Sequence, residues 1–238
     1  MGINRKTSVR LLHASDLHLG EHTSADGLDE CGQRLLRALV GTSARMSADL
    51  IIIAGDLFDS NRVSADTAGA AFAELRKAAV PVVILPGNHD CLVADSIYRL
   101  VPPPGGNIRI FASPDETFSF PGLDLAIWGK PLASYSGKTR PLVGIPARGP
   151  ERWRVAVAHG YYAGDSPDQK YSFQITQNEI MQSGCDYVAL GHWSEFRCVG
   201  DGTVTACYSG SASQANKVAV VELSEDGVRV KSQCLALL

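Results

Sequence analysis

Three continuous apolar runs in the first third of the chain constrain its fold more than any other feature. They are VRLLHAS at residues 9–15, DLIIIAG at 49–55 and VPVVILP at 80–86. Continuous apolar runs of this length are typical of strands that are covered on both faces, as in parallel sheets. Parallel strands need long crossover connections, which are usually helical. The sequence therefore predicts a parallel β-sheet that is covered on both of its faces.

The two connections between these runs carry helical signals. Leucines and a valine recur at helical spacing between residues 26 and 46. A second helix is predicted to follow Ser64, a favourable N-cap residue, in the segment SADTAGAAFAELRKAA. Together with the apolar runs, these helices predict an α/β fold.

The second half of the chain is richer in short strands. The pairs Asp201-Gly202 and Asp226-Gly227 are typical of tight hairpin turns, so we expect a hairpin-rich arrangement there. One helix is predicted to begin at Thr176, because the sequence TQNE forms a capping box with Glu179. The predicted strands are LDLAIWG, WRVAVAHG, DYVALGH, FRCVG, TVTACYSG, KVAVVEL and VRVKSQCL.

Residues 130–152 lack sustained periodicity and are rich in Pro, Gly, Ser and basic residues. A connection of this length without regular structure is usually a functional loop. It can supply phosphate or DNA contacts, or it can be a solvated and mobile segment, and the sequence leaves both interpretations open. Its candidate contact residues are Lys130, Tyr135, Lys138, Arg140, Arg148 and Arg152.

The composition fits a single globular domain over residues 1–238, with 45% hydrophobic and 20% charged residues. The net charge of −3 provides no overall basic field to attract nucleic acid. The six cysteines form no C-x-x-C pair, so we expect buried, reduced thiols and a cytoplasmic protein. No apolar run approaches the roughly 18 residues of a membrane span, so we expect no membrane association.

Polar side chains that can bind a metal follow five of the predicted strands. Because sites in α/β sheets form at the carboxyl ends of strands, we expect these side chains to meet. Each group alone is also typical of a turn or of the rim of a sheet, but five together favour a common site. Asp16 and His18 are two residues apart, which in an extended chain points both side chains to one side. The remaining groups are Asp56, the run Asn88, His89 and Asp90, then His159 and His192.

Two histidines fall outside this pattern. His13 lies at odd spacing from Asp16, so it is predicted to face the other side and to pack in the core. His22 has no strand before it and is interpreted as a loop residue.

The ligand set combines carboxylates, an amide and imidazoles, and it contains no cysteine. This mixture suits manganese, iron or zinc better than magnesium or calcium. Six candidate ligands are more than one ion usually takes while leaving room for a substrate. Two divalent metal ions about 3.5–4 Å apart, bridged by a carboxylate and a hydroxide, fit this number and are used for phosphate-ester cleavage.

In order and spacing, these residues resemble the calcineurin-like metallophosphoesterase superfamily. Its motifs are D-x-H, G-D-x-x-D, G-N-H-D/E, a histidine before a small residue, and G-H-x-H. The matching segments are Asp16 with His18, Gly55 to Asp59, Gly87 to Asp90, His159, and Gly191 with His192. The resemblance implies a two-sheet β-sandwich flanked by helices and a metal-dependent phosphoesterase, with a phosphodiester as the favoured substrate.

The resemblance also implies a role for each residue. Asp56 would bridge the two metals, Asp16 and His18 would complete one site, and Asn88, His159 and His192 the other. His89 would act as the general acid on the leaving-group oxygen, with Asp90 behind it holding the ring. Asp59 is expected to support the ligands without binding a metal. Ser194 stands where the second histidine of G-H-x-H would bind the metal of Asp16 and His18; Glu195 and His22 are weaker candidates to replace it.

Within the superfamily, LLHASDLHLG, GDLFDSNRVS and YSGSA resemble the SbcD-type DNA-repair exonucleases. The chain ends at Leu238, so it is expected to lack the capping domain and the segment that docks an ATPase partner. A nuclease working with an ATPase is therefore the disfavoured alternative. A further alternative is a degenerate phosphate-binding regulator, which Ser194 favours and the intact sequence GNHD opposes.

Overall fold

The computed structural model describes residues 6–20, 27–103, 105–114, 116–167 and 170–236. Two six-stranded sheets pack face to face, with helices outside them. This is the two-sheet sandwich flanked by helices that the sequence predicted.

The first sheet contains the three apolar runs. In spatial order its strands are Gly227–Cys234 (β14), Lys217–Ser224 (β13), Ser8–Ala14 (β1), Leu50–Ala54 (β2), Val82–Leu85 (β3) and Ile108–Ile110 (β4). Strands β1 to β4 are parallel, and β13 and β14 extend the sheet as an antiparallel hairpin.

The second sheet is less hairpin-rich than expected. In spatial order its strands are Phe196–Val199 (β11), Thr205–Ser209 (β12), Tyr187–Gly191 (β10), Trp153–His159 (β7), Leu125–Gly129 (β6) and Thr117–Phe120 (β5). The four inner strands are parallel to one another, and only the two outer strands, β11 and β5, are antiparallel to their neighbours. The hairpin at Asp226-Gly227 belongs to the first sheet.

The remaining elements are short strands and helices. A small two-stranded sheet pairs Tyr161–Gly164 (β8) with Gln174–Thr176 (β9). The helices are Glu30–Arg45 (α1), Ala65–Leu75 (α2), Ile97–Leu100 (α3) and Gln177–Met181 (α4). The side chains of Ser64 and Thr176 accept hydrogen bonds from the main chain at the starts of α2 and α4, as the sequence predicted.

Alternation along the strands explains the layers. In β2, Ile51 and Ile53 pack with residues of α1 and α2, whereas Leu50 and Ile52 pack between the two sheets. The outer face of the second sheet packs against Ile180 of α4. The central strands β2 and β3 of the first sheet are thus covered on both faces, which is why they are apolar throughout.

One expectation about the cysteines is wrong. Cys198 and Cys207 lie opposite each other on β11 and β12 and form a disulfide. The hairpin at Asp201-Gly202 sets this pairing, which sequence spacing alone does not reveal. Cys91 and Cys185 are buried free thiols as expected, but Cys31 and Cys234 are exposed.

Candidate metal centre

The residues after five strands meet at one edge of the sandwich. The main-chain nitrogens of Leu17 and His18 both donate to the carbonyl of Asp56, at 2.9 and 3.1 Å, which joins the ends of β1 and β2. The main-chain nitrogen of His192 donates to Oδ2 of Asp16 at 3.0 Å, which joins the second sheet to the first. The predicted site residues gathered here are Asp16, His18, Asp56, Asn88, His89, His159 and His192.

Four of these residues have left-handed backbones. The φ angles are 53° at Asp16, 47° at His18, 53° at Asp56 and 111° at His192. Such angles are costly for residues with a side chain and persist where the surrounding structure imposes them, often at functional sites. The argument from extended-chain spacing for Asp16 and His18 is therefore wrong. Their side chains converge because hydrogen bonds to the segment after β2 shape the loop.

One group of ligands is centred on Asn88. Its Oδ1 atom lies 2.8 Å from Nε2 of His159 and 3.1 Å from Nδ1 of His192. Nε2 of His159 is also 3.1 Å from Oδ2 of Asp56. Two imidazole nitrogens, an amide oxygen and a carboxylate thus converge, as the resemblance implied for one of the metals.

A second group lies beside His18. Its Nε2 atom is 3.9 Å from Oδ1 of Asp16, and its Nδ1 atom is buried without a hydrogen bond. Potential ligand atoms lie within 4.8 Å of one another in His18, Asp56 and His89, and likewise in Asp16, Asp56 and His159. Asp56 belongs to both of these groups, so its carboxylate is placed to contact ligands on both sides. The groups divide the ligands differently from the resemblance, which placed Asp16 with His18 and gave His89 no metal.

The expectation that Asp90 holds the ring of His89 is wrong. Nδ1 of His89 lies 2.8 Å from the main-chain carbonyl of Asp59, and its main-chain nitrogen donates to Oδ1 of Asp56 at 3.0 Å. Asp90 is fully buried and points away; its carboxylate accepts hydrogen bonds from the main chain of Phe58 and Gly87. Asp59, expected to support the ligands, has Oδ1 3.4 Å from His18 and 3.7 Å from His89.

The buried carboxylates of the centre stabilise positive charge close to them. Burial raises the pKa of Asp16, because the neighbouring His159 lowers it too little to compensate. Burial also opposes ionisation of Asp56, but His159 lowers the pKa of that carboxyl below its usual range. Burial would lower the pKa of His159, yet the charge of Asp56 and their hydrogen bond raise it to about 10. These carboxylates surround a position that favours positive charge, which fits divalent cations.

The pKa of His192 is lowered, whereas that of His159 is raised, and a lowered pKa fits a metal ligand. Burial and the neighbouring His159 lower the pKa of His192 to about 4. An imidazole binds a metal through the lone pair of its neutral form. His192 is therefore neutral near neutral pH, whereas a metal bound to His159 would have to displace the proton that Asp56 stabilises on it.

Two glycines allow the ligands to pack this closely. A Cβ atom on Gly87 would lie 2.1 Å from Oδ1 of Asp56, and one on Gly191 would lie 1.8 Å from the carbonyl oxygen of Ala54. The Cβ atom on Gly87 would also lie 2.6 Å from the main-chain nitrogen of Asp56, so neither clash can be relieved by moving a side chain alone. The sequence motifs G-N-H-D and G-H therefore require glycine for steric reasons.

Ser194 faces the centre. It lines a cavity of about 210 Å³ together with Asp16, His18 and His192. Ser211 and Gln214 line the same cavity. His22, considered as a replacement ligand, lies outside the described residues, and the Glu195 residue is exposed.

The segment after β12 supports the centre and was not predicted to do so. The hydroxyls of Ser211 and Ser213 both donate to the carbonyl of Asp16 at 2.9 Å, and Ser209 Oγ lies 2.9 Å from Ser15 Oγ. Serine is too common for its type alone to reveal such a role. Only the sequence YSGSA, noted for its resemblance, indicated this segment.

The basic residues of the loop at 130–152 are largely engaged within the protein. Nζ of Lys130 donates to main-chain carbonyls. Arg140 pairs with Glu179 at 2.8 Å, Arg148 with Asp186 at 2.8 Å, and Arg152 with Glu225 at 2.7 Å. These contacts do not favour the interpretation of the loop as a basic strip for DNA. Tyr135, in contrast, reaches the site: its hydroxyl lies 3.1 Å from Nδ2 of Asn61.

The chain belongs to the calcineurin-like phosphoesterase family, whose model matches residues 9–196. The family is named for phosphoesterase activity, and membership implies divalent metal cofactors. An uncharacterised metallophosphoesterase of Bacillus subtilis (strain 168), YhaO, is 26% identical over 208 residues, which cover 78% of this chain and 48% of YhaO. The chain thus spans about half the length of this curated relative.

Solved structures agree with the fold. TT1561 of Thermus thermophilus superposes with a TM-score of 0.61 at 12% identity, covering 97% of this chain and all of that one. GAP50, the anchor in the inner membrane complex of Plasmodium, gives a TM-score of 0.56 at 14% identity, covering 98% of this chain and 87% of that one. At these identities the likeness concerns the fold alone.

Among the helices of the described residues, none is both long enough and apolar enough to cross a bilayer.

Proposed function

We propose that the protein is a phosphodiesterase that uses two divalent metal ions, with manganese favoured over iron and zinc. The observation that carries this proposal is the position of Asp56 between the two sets of ligands: its Oδ2 atom lies 3.1 Å from Nε2 of His159, and its carboxylate lies within 4.8 Å of a ring nitrogen of His18. Asp16 and His18 would complete one metal site. Asn88, His159 and His192 would complete the other.

The chain's own residues position the reaction. The metals that Asp56 and its neighbouring ligands would hold would supply a water molecule of lowered pKa and would neutralise charge on the phosphoryl oxygens. Asn88 holds His159 and His192 toward one point through its Oδ1 atom. His89, held at Nδ1 by the carbonyl of Asp59, presents Nε2 as the proton donor to the leaving alcohol.

The residues that line the cavity beside Asp16 and His18 favour a diester over a monoester. A monoester carries two negative charges near neutral pH and is commonly held by Arg or Lys in addition to metals. Among the described residues that line the cavity beside Asp16 and His18, none is Arg or Lys. A diester, with one negative charge, needs less cationic support.

The test is metal removal followed by reconstitution. We expect activity toward bis(4-nitrophenyl) phosphate to disappear on dialysis against a chelator and to return best with Mn²⁺. It should exceed activity toward 4-nitrophenyl phosphate. Asp56→Asn should abolish turnover, whereas Asp226→Asn, on an exposed hairpin, should not. Turnover that survives exhaustive chelation would refute the two-metal proposal, and a preference for the monoester would refute the substrate class.

Two alternatives have distinct outcomes in the same assay. Degradation of duplex DNA without an ATPase, at physiological salt, would favour a nuclease; the negative net charge and the internally paired loop at 130–152 argue against it. Metal-dependent phosphate binding without hydrolysis of any ester would favour a regulatory protein.

A further inference from the structure

A second cavity adjoins the candidate centre on the side of His89. It has a volume of about 390 Å³, and Asn88 and His89 form the wall that it shares with the centre. Asn61, Arg62 and Tyr135 form its other walls. A general acid must face the leaving alcohol, so a cavity next to His89 is where the rest of that alcohol would lie.

Tyr135 is an exposed but anchored side chain in this cavity. The residue is 61% exposed, which is high for an aromatic ring. Its hydroxyl accepts a hydrogen bond from Nδ2 of Asn61 at 3.1 Å, and the same nitrogen donates to the carbonyl of Cys91 at 2.8 Å. Oδ1 of Asn61 accepts from the main chain of Ile97 at 3.0 Å. Both the nitrogen and the oxygen of the Asn61 amide are thus hydrogen-bonded, and the amide positions the Tyr135 ring, which remains exposed to solvent.

Arg62 supplies a positive charge that the protein does not neutralise. Its main-chain nitrogen donates to Ser60, but within the described part of the chain its guanidinium has no ion pair or hydrogen bond. Asp59, which also borders the cavity, directs its carboxylate to His18 and His89, at 3.4 and 3.7 Å. The guanidinium therefore remains available to a ligand.

We propose that this cavity is the subsite for the leaving group and that it selects leaving alcohols carrying a planar ring and a negative charge. The ring would stack on Tyr135, and the anionic substituent would pair with Arg62, since guanidinium groups bind carboxylates and phosphates in a bidentate manner. This inference rests on the proposed phosphodiesterase activity.

The test uses two diesters that differ in one charge. Methyl 4-carboxyphenyl phosphate and methyl 4-carbamoylphenyl phosphate release phenols of similar size, which chromatography quantifies. With Mn²⁺, the wild type should favour the carboxylate ester. In Arg62→Gln the ratio of the two kcat/KM values should fall about tenfold, which corresponds to one lost charge-assisted contact. Arg62→Lys should retain part of the preference, and the exposed Arg229→Gln should retain all of it.

The ring is tested separately. Tyr135→Ala should raise KM for both aryl esters, because stacking is common to them, whereas Tyr135→Phe should remain close to the wild type. If the wild type hydrolyses both esters but Arg62→Gln leaves their ratio unchanged, the subsite is wrong and the proposed function stands. If the wild type hydrolyses bis(4-nitrophenyl) phosphate but neither of these esters, the subsite is wrong and the proposed function stands. If it hydrolyses none of the three diesters, the phosphodiesterase proposal fails and this inference fails with it.

Discussion

The Nδ1 atom of His89 lies 2.8 Å from the main-chain carbonyl oxygen of Asp59. A carbonyl can only accept, so Nδ1 carries the proton of that hydrogen bond. If His89 is the general acid, Nε2 is the atom that would exchange a proton with the substrate. The orientation of the proposed acid therefore depends on a main-chain group of the segment after β2, and not on the adjacent Asp90.

Replacing His89 should affect poor leaving groups most. We expect His89→Ala to lower kcat/KM by roughly a hundredfold or more for diesters with weakly acidic leaving alcohols, the range typical of a lost general acid. For nitrophenyl esters the loss should be far smaller, because that leaving group needs no proton. Rates across a series of leaving groups check this.

Metal content distinguishes the two possible roles of His89. Since a ring nitrogen of His89 lies within 4.8 Å of ligand atoms of both His18 and Asp56, metal analysis must accompany the kinetics. We expect His89→Ala to keep its bound metal. A matched His18→Ala variant should lose metal. Loss of metal from both variants would show that His89 is a metal ligand.

Asp90 should matter for stability and not for proton transfer. Its buried carboxylate accepts hydrogen bonds from Phe58, Gly87 and the hydroxyl of Tyr98. Asp90→Ala leaves these donors unsatisfied, so the free energy of unfolding should fall by about 3 kcal/mol. The dependence of rate on leaving group should stay as in the wild type. A change in that dependence equal to that of His89→Ala would show that Asp90 orients the acid.

His13 should make the protein sensitive to acid. It is fully buried between the sheets with Nδ1 2.8 Å from the hydroxyl of Tyr187, and burial lowers its pKa from 6.5 to about 3. Between these values the unfolded chain binds a proton that the folded chain does not. The free energy of unfolding should therefore fall as pH falls below 6.5, by about 1.4 kcal/mol per pH unit from this residue.

The measurement is denaturant unfolding of the wild type and His13→Gln from pH 7.5 to 4.5. The stability advantage of the wild type should shrink as the pH falls, because the variant lacks the titrating group. An advantage that stays constant across this range would mean that His13 does not remain neutral in the folded protein.

Local signals explain which parts of the fold were predictable. The apolar runs that became β1, β2 and β3, and the caps at Ser64 and Thr176, depend on neighbouring residues only. The parallel pairing of β12 with β10 does not depend on neighbouring residues, because β11 and a hairpin turn lie between these two strands in the sequence. Turn chemistry at Asp201-Gly202 therefore predicted the hairpin but not the sheet that receives it.

The same distinction applies to the candidate centre. Asp56, His159 and His192 were predictable because metal-binding side chains at strand ends are a chemical signal in the sequence. The contact between His89 and the carbonyl of Asp59 was not predictable, because every residue carries a main-chain carbonyl and the sequence does not distinguish this one. Nor were the left-handed backbones of Asp16 and His18, which result from hydrogen bonds to a distant segment.

Ser194 provides the sharpest test of the ligand arrangement. It lines the cavity beside Asp16 and His18, at the motif position where the family carries a second histidine. Ser194→His should add an imidazole to the metal that these two residues would hold. We expect the Mn²⁺ concentration at half-maximal activity to fall by about tenfold, the scale on which metal-site residues alter affinity.

The titration compares activity and metal occupancy against free Mn²⁺ in wild type and variant. Ser224→His is the control, because Ser224 pairs with Ser8 at the opposite end of β1 from Asp16. The control should titrate like the wild type. At saturating Mn²⁺ the rate of Ser194→His can change in either direction, since an added ligand also takes space from the substrate. Superimposable titrations of Ser194→His and wild type would mean that position 194 does not reach the metal, and the assignment of Asp16 and His18 to a three-ligand site would have to be abandoned.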